Sequence, residues 1–347
     1  MISNPKVVIT DYDYGDLEIE KGILHGVGAE VIPLQAKCEE DLFEVAEDCF
    51  GMINQYARVG RETIRRMKQC KVIARYGVGV DIVDVDAATE RGILVTNVQD
   101  YCTEEVADHS IALWLTLARK LPRYDKATRS GVWNWQTGAP VFRIRGRVMG
   151  IVSFGKIGQA IAERARGFGV ELMVYDPYIS QGSIEKMWCR PVNKETLIRE
   201  SDFLMMQAPM TEETHHFLSF NEFKLMKSNA IVINTGRGPT IDNKALYQAL
   251  TQQEIAAAGL DDPEEEPAKR SSWDPQDNPI FSLPNVLVTP HAAYYSEESI
   301  RIARETAATQ VAKMIRGEVP DYPVNPEVRM IGCGFSKRRM CIFDLFA

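Results

Sequence analysis

The sequence predicts an α/β fold made of doubly wound parallel sheets. Three observations carry that reading. Short, near-continuous apolar runs recur along the chain. They alternate with segments of helical period. One run ends in a glycine-rich turn that opens a helix. The length of 347 residues implies about two domains, at roughly 100–200 residues each.

The apolar runs fall at residues 7–9, 72–74, 148–153, 172–175, 203–207, 230–234, 256–260 and 286–289. Strands this uniformly apolar suit a parallel sheet covered on both faces. Thr103 is a good N-cap, so a helix is expected to start there, run to residue 121 and stop at Pro122. The stretch Gly131-Val132-Trp133-Asn134-Trp135 has no period and is expected to form an arm over a neighbouring surface. A second long helix is expected over residues 296–316, ended by Gly317. Residues 261–277 are rich in acid, Pro and Ser and read as a loop. After Pro326 the pattern weakens, and residues 331–347 form a tail of unknown role.

A net charge of −8 argues against a nucleic-acid surface and against a polybasic membrane patch. It leaves room for an anionic substrate in a locally positive pocket. The first ten residues read as a strand and have no basic-then-apolar leader architecture. No apolar run approaches the roughly 20 residues that span a bilayer. Cys38, Cys49, Cys70, Cys102, Cys189, Cys333 and Cys341 form no C-x-x-C pair and are odd in number. Neither a disulfide framework nor a zinc site is expected, and a cytoplasmic location is.

The glycine-rich turn is Arg147-Val148-Met149-Gly150-Ile151-Val152-Ser153-Phe154-Gly155-Lys156-Ile157-Gly158. Strand, tight turn and helix in succession suit a dinucleotide pyrophosphate. Glycines let the backbone approach, and the helix N-terminus offers N–H donors and partial positive charge. Ser153 stands where the G-x-G-x-x-G pattern has its first glycine, so the motif alone also fits a plain strand–helix turn. Val174-Tyr175-Asp176 then ends the next strand, where an acid bonds the ribose hydroxyls and repels a 2′-phosphate. NAD is therefore the expected cofactor. The simpler reading of Asp176-Pro177 is a turn.

Four further pieces follow in order: Asn234-Thr235-Gly236-Arg237-Gly238, Gly259-Leu260-Asp261, Glu266-Pro267 and Thr289-Pro290-His291-Ala292. Together with Tyr76-Gly77-Val78-Gly79-Val80-Asp81 upstream, they resemble the D-isomer-specific 2-hydroxyacid dehydrogenase family over about residues 7–323. Within it, Tyr175-Asp176-Pro177-Tyr178, His215-His216 and the run from Pro290 to Glu297 look most like the C-terminal-binding-protein branch, with the phosphoglycerate dehydrogenase branch more distant.

That resemblance implies an NAD-dependent enzyme moving a hydride to or from C2 of a small D-2-hydroxy or 2-oxo acid. It implies two Rossmann-like domains: a split substrate domain at 1–101 and 297–330, and an inserted NAD-binding domain at 102–296. The site would lie in the cleft, and closure would exclude water. A homodimer through the cofactor domain is expected, with the Trp133–Trp135 arm in the contact.

Roles follow residue by residue. His291 would be the acid/base, since imidazole titrates near working pH. Glu266 would orient it, and Arg237 would grip the substrate carboxylate and polarise the carbonyl. Tyr76, Gly77, Val78 and Gly79 would line the other side of the substrate, and Tyr294 would shape the side-chain pocket. Cofactor contacts would come from Thr103, Val106, Phe154, Gly155, Lys156, Ile157, Gly158, Asp176, Pro209, Thr235, Gly236 and Asp261. Asp261 would orient the nicotinamide carboxamide.

Each residue has a plainer reading. His291 after Thr-Pro fits a structural histidine, Arg237 a surface ion pair, Glu266 a solvated acidic run with Glu264 and Glu265, and Gly77 and Gly79 a turn. Their occurrence in one order favours the functional reading. His215-His216 is expected to be structural, because nothing nearby offers metal-ligand spacing, and no metal is expected. Several positions depart from the family pattern. Gln207 stands where His is common. Gly236 replaces Ala or Ser and should free the backbone at Arg237. Asp262-Pro263 replaces an apolar pair, and Tyr294 replaces Trp.

Two other functions compete. An NAD(H)-sensing, partner-recruiting protein would not need Arg237, Glu266 and His291 together. A phosphoglycerate-type enzyme would want basic groups for a phosphate, for which only Arg75 and Arg58 are candidates. Its regulatory C-terminal domain is not expected in a chain of this length.

Overall fold

The computed structural model describes residues 4–264 and 273–328. The chain divides into two compact units, one up to Tyr101 with the residues from Ile300 on, the other Cys102–Ser299.

The first unit holds a parallel sheet of β1 (Lys6–Ile9), β2 (Glu30–Pro33), β3 (Gly51–Asn54), β4 (Val72–Arg75) and β5 (Leu94–Thr96). Their spatial order is β2-β1-β3-β4-β5. β3 is buried along its whole length, as a central strand of a covered sheet must be. Of these strands, β2, β3 and β5 lie outside the apolar runs read from the sequence. β2 is flanked by exposed Glu30 and Pro33, and β5 has three residues. A buried ion pair locks the unit. Glu20, fully buried, accepts from Arg304 Nε at 2.8 Å and Nη2 at 2.7 Å, and from the Tyr76 hydroxyl at 2.9 Å.

The second unit holds β6 (Val148–Val152), β7 (Glu171–Tyr175), β8 (Arg190–Pro191), β9 (Phe203–Met206), β10 (Ile231–Asn234), β11 (Ala257–Leu260) and β12 (Val286–Val288). All pairs are parallel, in the order β12-β11-β10-β9-β6-β7-β8. The winding reverses between β6 and β9. In open α/β sheets a ligand crevice opens at that reversal, beyond the carboxyl ends of the strands. Two apolar layers cover the sheet, one including Trp114, Phe154 and Phe203, the other Leu197, Phe223 and Leu246.

Three local expectations are corrected. The helix is Thr103–Ala118, its N-cap is Cys102, and Thr103 is the first helical residue. The chain then turns through Lys120, left-handed at φ 56°, and starts a new helix, Leu121–Arg129. Pro122 lies in that helix's first turn, where its missing N–H costs nothing, so it opens a helix instead of stopping one. The second long helix is Glu297–Ile315, and Gly317 follows at φ 75°. Trp133 and Trp135 are 90% and 75% exposed. The tail at 331–347 lies outside the described residues.

Candidate active site at the carboxyl edge of the seven-stranded sheet

Within the second unit, the segments singled out from the sequence leave the same edge of one sheet. Ser153–Gly158 follow β6, Asp176 follows β7, Gln207–Pro209 follow β9, Thr235–Arg237 follow β10, Asp261 follows β11 and Thr289–His291 follow β12.

The turn after β6 is closed by backbone geometry. Ser153 adopts φ 73°, the left-handed region that glycine enters freely and serine enters at a cost. Its N–H is held by the Tyr175 carbonyl at 2.9 Å. Gly155 caps the helix Lys156–Arg166, and a Cβ built there would meet nothing within 4 Å, so the turn leaves an open cradle. At Gly158 a Cβ would lie 2.4 Å from the Ser153 carbonyl, so only glycine lets helix and turn pack this closely. The helix's own bonding begins with Gln159 N–H to Gly155. The amides of Gly155, Lys156, Ile157 and Gly158 come before it and form the N-terminal donor set that binds an anion. Phe154 contributes neither side chain nor amide: its ring is buried in the core, and its N–H donates to Asp176 Oδ2 at 2.7 Å.

Asp176 holds its own turn together. Its Oδ1 accepts the Tyr178 and Ile179 N–H groups at 2.8 and 3.1 Å. On the β9–β10 side of the winding reversal, Gln207 Nε2 donates to Thr235 Oγ1 at 2.8 Å. Thr235 Oγ1 in turn lies 2.6 Å from Ser110 Oγ on the helix that carries Thr103 and buried Val106. Glycine cradle, helix N-terminus and acid after β7 fit NAD in the way the family pattern implies.

The loop after β10 is rigid. Asn234 accepts the Gly236 N–H at 3.0 Å and donates to the Arg237 carbonyl at 3.1 Å, which also takes the Thr240 hydroxyl at 2.6 Å. Gly236 therefore does not free the backbone. A Cβ there would sit 3.1 and 3.2 Å from the Met206 and Ala208 carbonyls, so glycine relieves crowding. The half-buried Arg237 donates from Nη1 to the Gly236 carbonyl at 2.9 Å. Gly238 meets the next loop so closely that a Cβ would lie 2.3 Å from the Pro263 carbonyl.

Asp261 organises the His291 loop. It is buried, and its carboxylate accepts the Thr289 hydroxyl at 2.5 Å and the Ala292 and Ala293 N–H groups at 2.9 Å each. Its backbone carbonyl takes the His291 N–H at 2.9 Å. His291 itself stands at φ 51°, a conformation that the bonds on both sides of it impose. The three bonds from Thr289, Ala292 and Ala293 tie the carboxylate to the histidine's own loop, two on Oδ1 and one on Oδ2. Tyr294 meets the His291 ring edge-to-face, with centroids 5.9 Å apart. His109, not singled out from the sequence, completes the cluster. Its Nε2 is 2.9 Å from Thr289 Oγ1. The Thr289 proton goes to Asp261, so that nitrogen is the donor. The available signal was His109 and Ser110 standing next to each other at the start of the helix's apolar stretch.

Glu266 lies outside the described residues. Glu264 is no solvated acid: it is half-buried, its Oε1 is 2.5 Å from His216 Nε2, and its Oε2 accepts the Asn243 N–H at 3.0 Å. This also corrects the expectation that nothing near His215-His216 has metal-ligand spacing. His215, His216 and Glu264 present ligand atoms all within 4.8 Å of one another.

In the first unit, the Tyr76 side chain does not face a substrate. It is buried, bonded to Glu20 and packed edge-to-face on Tyr14, and burial with that carboxylate raises its pKa. Its anchoring does fix the turn that follows: the Gly77 carbonyl takes the Val98 N–H at 3.0 Å and the Val78 carbonyl takes Asn97 Nδ2 at 2.8 Å. Val78 is 47% exposed.

Comparison with known proteins settles the family. The family model for the NAD binding domain of D-isomer specific 2-hydroxyacid dehydrogenases matches residues 111–293. The chain belongs to the D-isomer-specific 2-hydroxyacid dehydrogenase family. It is similar to the glyoxylate reductase of Korarchaeum cryptofilum, 37% identical over 291 residues, covering 83% of this chain and 86% of that enzyme. It is also similar to the D-3-phosphoglycerate dehydrogenase of Methanocaldococcus jannaschii, 37% identical over 343 residues, which are 98% of this chain and 63% of that enzyme. Among solved structures, the D-lactate dehydrogenase of Aquifex aeolicus with NAD and lactic acid aligns with a TM-score of 0.83 at 26% identity, covering 90% of this chain and 96% of that one. Membership makes the chain an NAD-dependent 2-hydroxyacid oxidoreductase. The comparisons do not single out the C-terminal-binding-protein branch. No helix among the described residues is long and apolar enough to cross a membrane.

Proposed function

We propose that the chain reduces a short 2-oxo acid of the glyoxylate or hydroxypyruvate kind to the D-2-hydroxy acid. The observation that carries this reading is the Asp261 carboxylate, which gathers Thr289, Ala292 and Ala293 around His291 at the same sheet edge as Arg237. NADH, when bound, supplies the hydride to C2. His291 gives its proton to the carbonyl oxygen, which becomes the hydroxyl, and recovers it from solvent. Arg237 holds the substrate carboxylate and stabilises charge developing on the carbonyl oxygen. Glu266 pairs with the imidazole and favours its protonated form. Glu264, its neighbour in the acidic run, is committed to His216 and Asn243, which favours Glu266 for the task. Tyr294 packs on the His291 ring and trims the space for the substrate side chain.

Asp176 favours NADH over NADPH, because a 2′-phosphate would face a carboxylate. Reduction of glyoxylate, hydroxypyruvate, pyruvate and longer 2-oxo acids, followed by NADH absorbance with NADPH in parallel, tests the proposal. Highest kcat/KM on the two- and three-carbon acids with NADH supports it. Tight NADH binding without turnover of any 2-oxo acid would refute it and favour a sensing role. We further propose a homodimer seated on the Trp133–Trp135 arm, whose exposed indoles a second copy would cover, and a cytoplasmic location. A monomer mass by sedimentation would refute the first, and recovery in an oxidising compartment the second.

A further inference from the structure

His215 and His216 sit in the loop after β9, and Glu264 sits in the turn after β11. The two rings stack with centroids 3.9 Å apart and planes 22° from parallel. The third group is positioned by other elements. Glu264 Oε2 is tied to the Asn243 N–H at 3.0 Å, and that leaves Oε1 aimed at His216 Nε2, 2.5 Å away. Behind the ring, His216 Nδ1 lies 3.7 Å from Asp242 Oδ2. Asp242 is itself fixed: its Oδ1 caps the helix Asn243–Thr251 through the Lys244 and Ala245 amides at 2.9 and 3.0 Å. Its Oδ2 accepts the Ser219 hydroxyl at 3.2 Å. At 3.7 Å that carboxylate makes no direct hydrogen bond to the ring, but its charge lies close enough to favour a cation held by His216.

We propose that His215, His216 and Glu264 bind one divalent transition-metal ion of the zinc type, with water completing its shell. Two imidazoles and one carboxylate suit zinc, cobalt or nickel, whereas magnesium and calcium prefer oxygen-only shells. Tetrahedral bonds of about 2.1 Å set ligand atoms about 3.4 Å apart. The three ligand atoms, all within 4.8 Å, reach that spacing by rotamer-scale movement, with the His216–Glu264 pair opening by about 1 Å. Bound there, the ion ties the loop after β9 to the turn after β11. That turn carries Pro263, which packs against Gly238 beside Arg237. The ion acts on the rigidity of this wall and takes no part in hydride transfer.

The test uses the full, untagged chain titrated with cobalt(II), read by its visible absorption, and with zinc, read by thermal unfolding. One equivalent binds, zinc raises the unfolding temperature, and His215→Ala and Glu264→Gln each weaken binding at least about tenfold. Asp242→Asn keeps a helix-capping side chain but removes the charge 3.7 Å behind His216, and weakens binding less than His215→Ala does. Because His215 is exposed, His215→Ala folds and decides the matter even if another variant does not, and its metal-free turnover stays at the wild-type value. Absence of a cobalt spectrum at one equivalent overturns the proposal. So does binding that survives both His215→Ala and Glu264→Gln, which would place the ion at His25, His109 or His291.

Discussion

Removing the Asp261 carboxylate separates the fold of the second unit from the fixity of its histidine. Asp261→Ala deletes the acceptor for the Thr289 hydroxyl and for the Ala292 and Ala293 amides. A hydrogen bond to a charged acceptor contributes about 1.5–3 kcal/mol, and a buried donor left unmade costs about 1–3 kcal/mol. The two figures overlap for the same donors, so the whole change is about 3–5 kcal/mol. Asp261→Asn keeps one acceptor oxygen and costs about 1–2 kcal/mol. In both variants the residue 261 carbonyl still holds the His291 N–H, so the loop loosens without detaching. His291 then relaxes from φ 51°, and its imidazole loses its place. A displacement of about 1 Å at a reacting group costs about 10²-fold in rate. Urea unfolding, NADH binding and kcat with glyoxylate should be measured together. The expectation is a lowered unfolding midpoint, retained NADH binding, and kcat down about 10²-fold in Asp261→Ala and about tenfold in Asp261→Asn. A folded Asp261→Ala protein with wild-type kcat would refute the reasoning, because His291 would then need no fixing.

Three further outcomes follow from the geometry. Gly158→Ala forces a Cβ to within 2.4 Å of the Ser153 carbonyl, so the turn must move. Stability should fall by about 1–3 kcal/mol and NADH affinity with it, as denaturation and a fluorescence titration would read; no change in either contradicts the close-packed turn. Glu20→Ala leaves the buried Arg304 guanidinium without its bidentate partner and should cost about 3–5 kcal/mol in urea unfolding, whereas a loss of under about 1 kcal/mol would mean a surface-like pair. Burial alone would raise the Asp202 pKa, but bonds from the Val148 amide, Lys227, Asn229 and Arg147 outweigh it and hold the carboxyl below its ordinary value. The folded state then binds fewer protons than the unfolded one. Stability from Asp202 is complete above the unfolded pKa of about 3.9 and declines as pH falls through the folded value; Asp202→Asn should flatten that acid limb of the unfolding curve.

The parts of the fold legible in the sequence were those written by period and glycine. β6, β9, β10 and β11 announced themselves as unbroken apolar runs because both their faces are covered. β2 and β8 did not, since an edge strand is half solvated and β8 has only two residues. Pro122 was misread because proline is both a helix stop and a first-turn residue, and only the left-handed Lys120 before it decides which. In the second unit, Ser153–Gly158, Asp176, Thr235–Arg237, Asp261 and His291 share a sheet edge, and their order along the chain follows from parallel strands that each end there. What was not legible were partners far apart in sequence. Tyr76 stands in the right motif but turns to Glu20, 56 residues upstream, and His216 meets Glu264, 48 residues on. Asp261 marked a site position, yet its bonds to Thr289, Ala292 and Ala293 depend on the register of β11 with β12, which composition does not encode.

The central claim is that His291 moves the proton in a reaction for which the rest of the second unit positions NADH. Single-turnover reduction of glyoxylate by His291→Ala, loaded with NADH and compared with the unaltered chain, tests it most directly. Hydride transfer should be slower by about 10²–10⁴-fold, with NADH bound as tightly as before. Transfer at the unaltered rate would contradict it and assign the proton to another group.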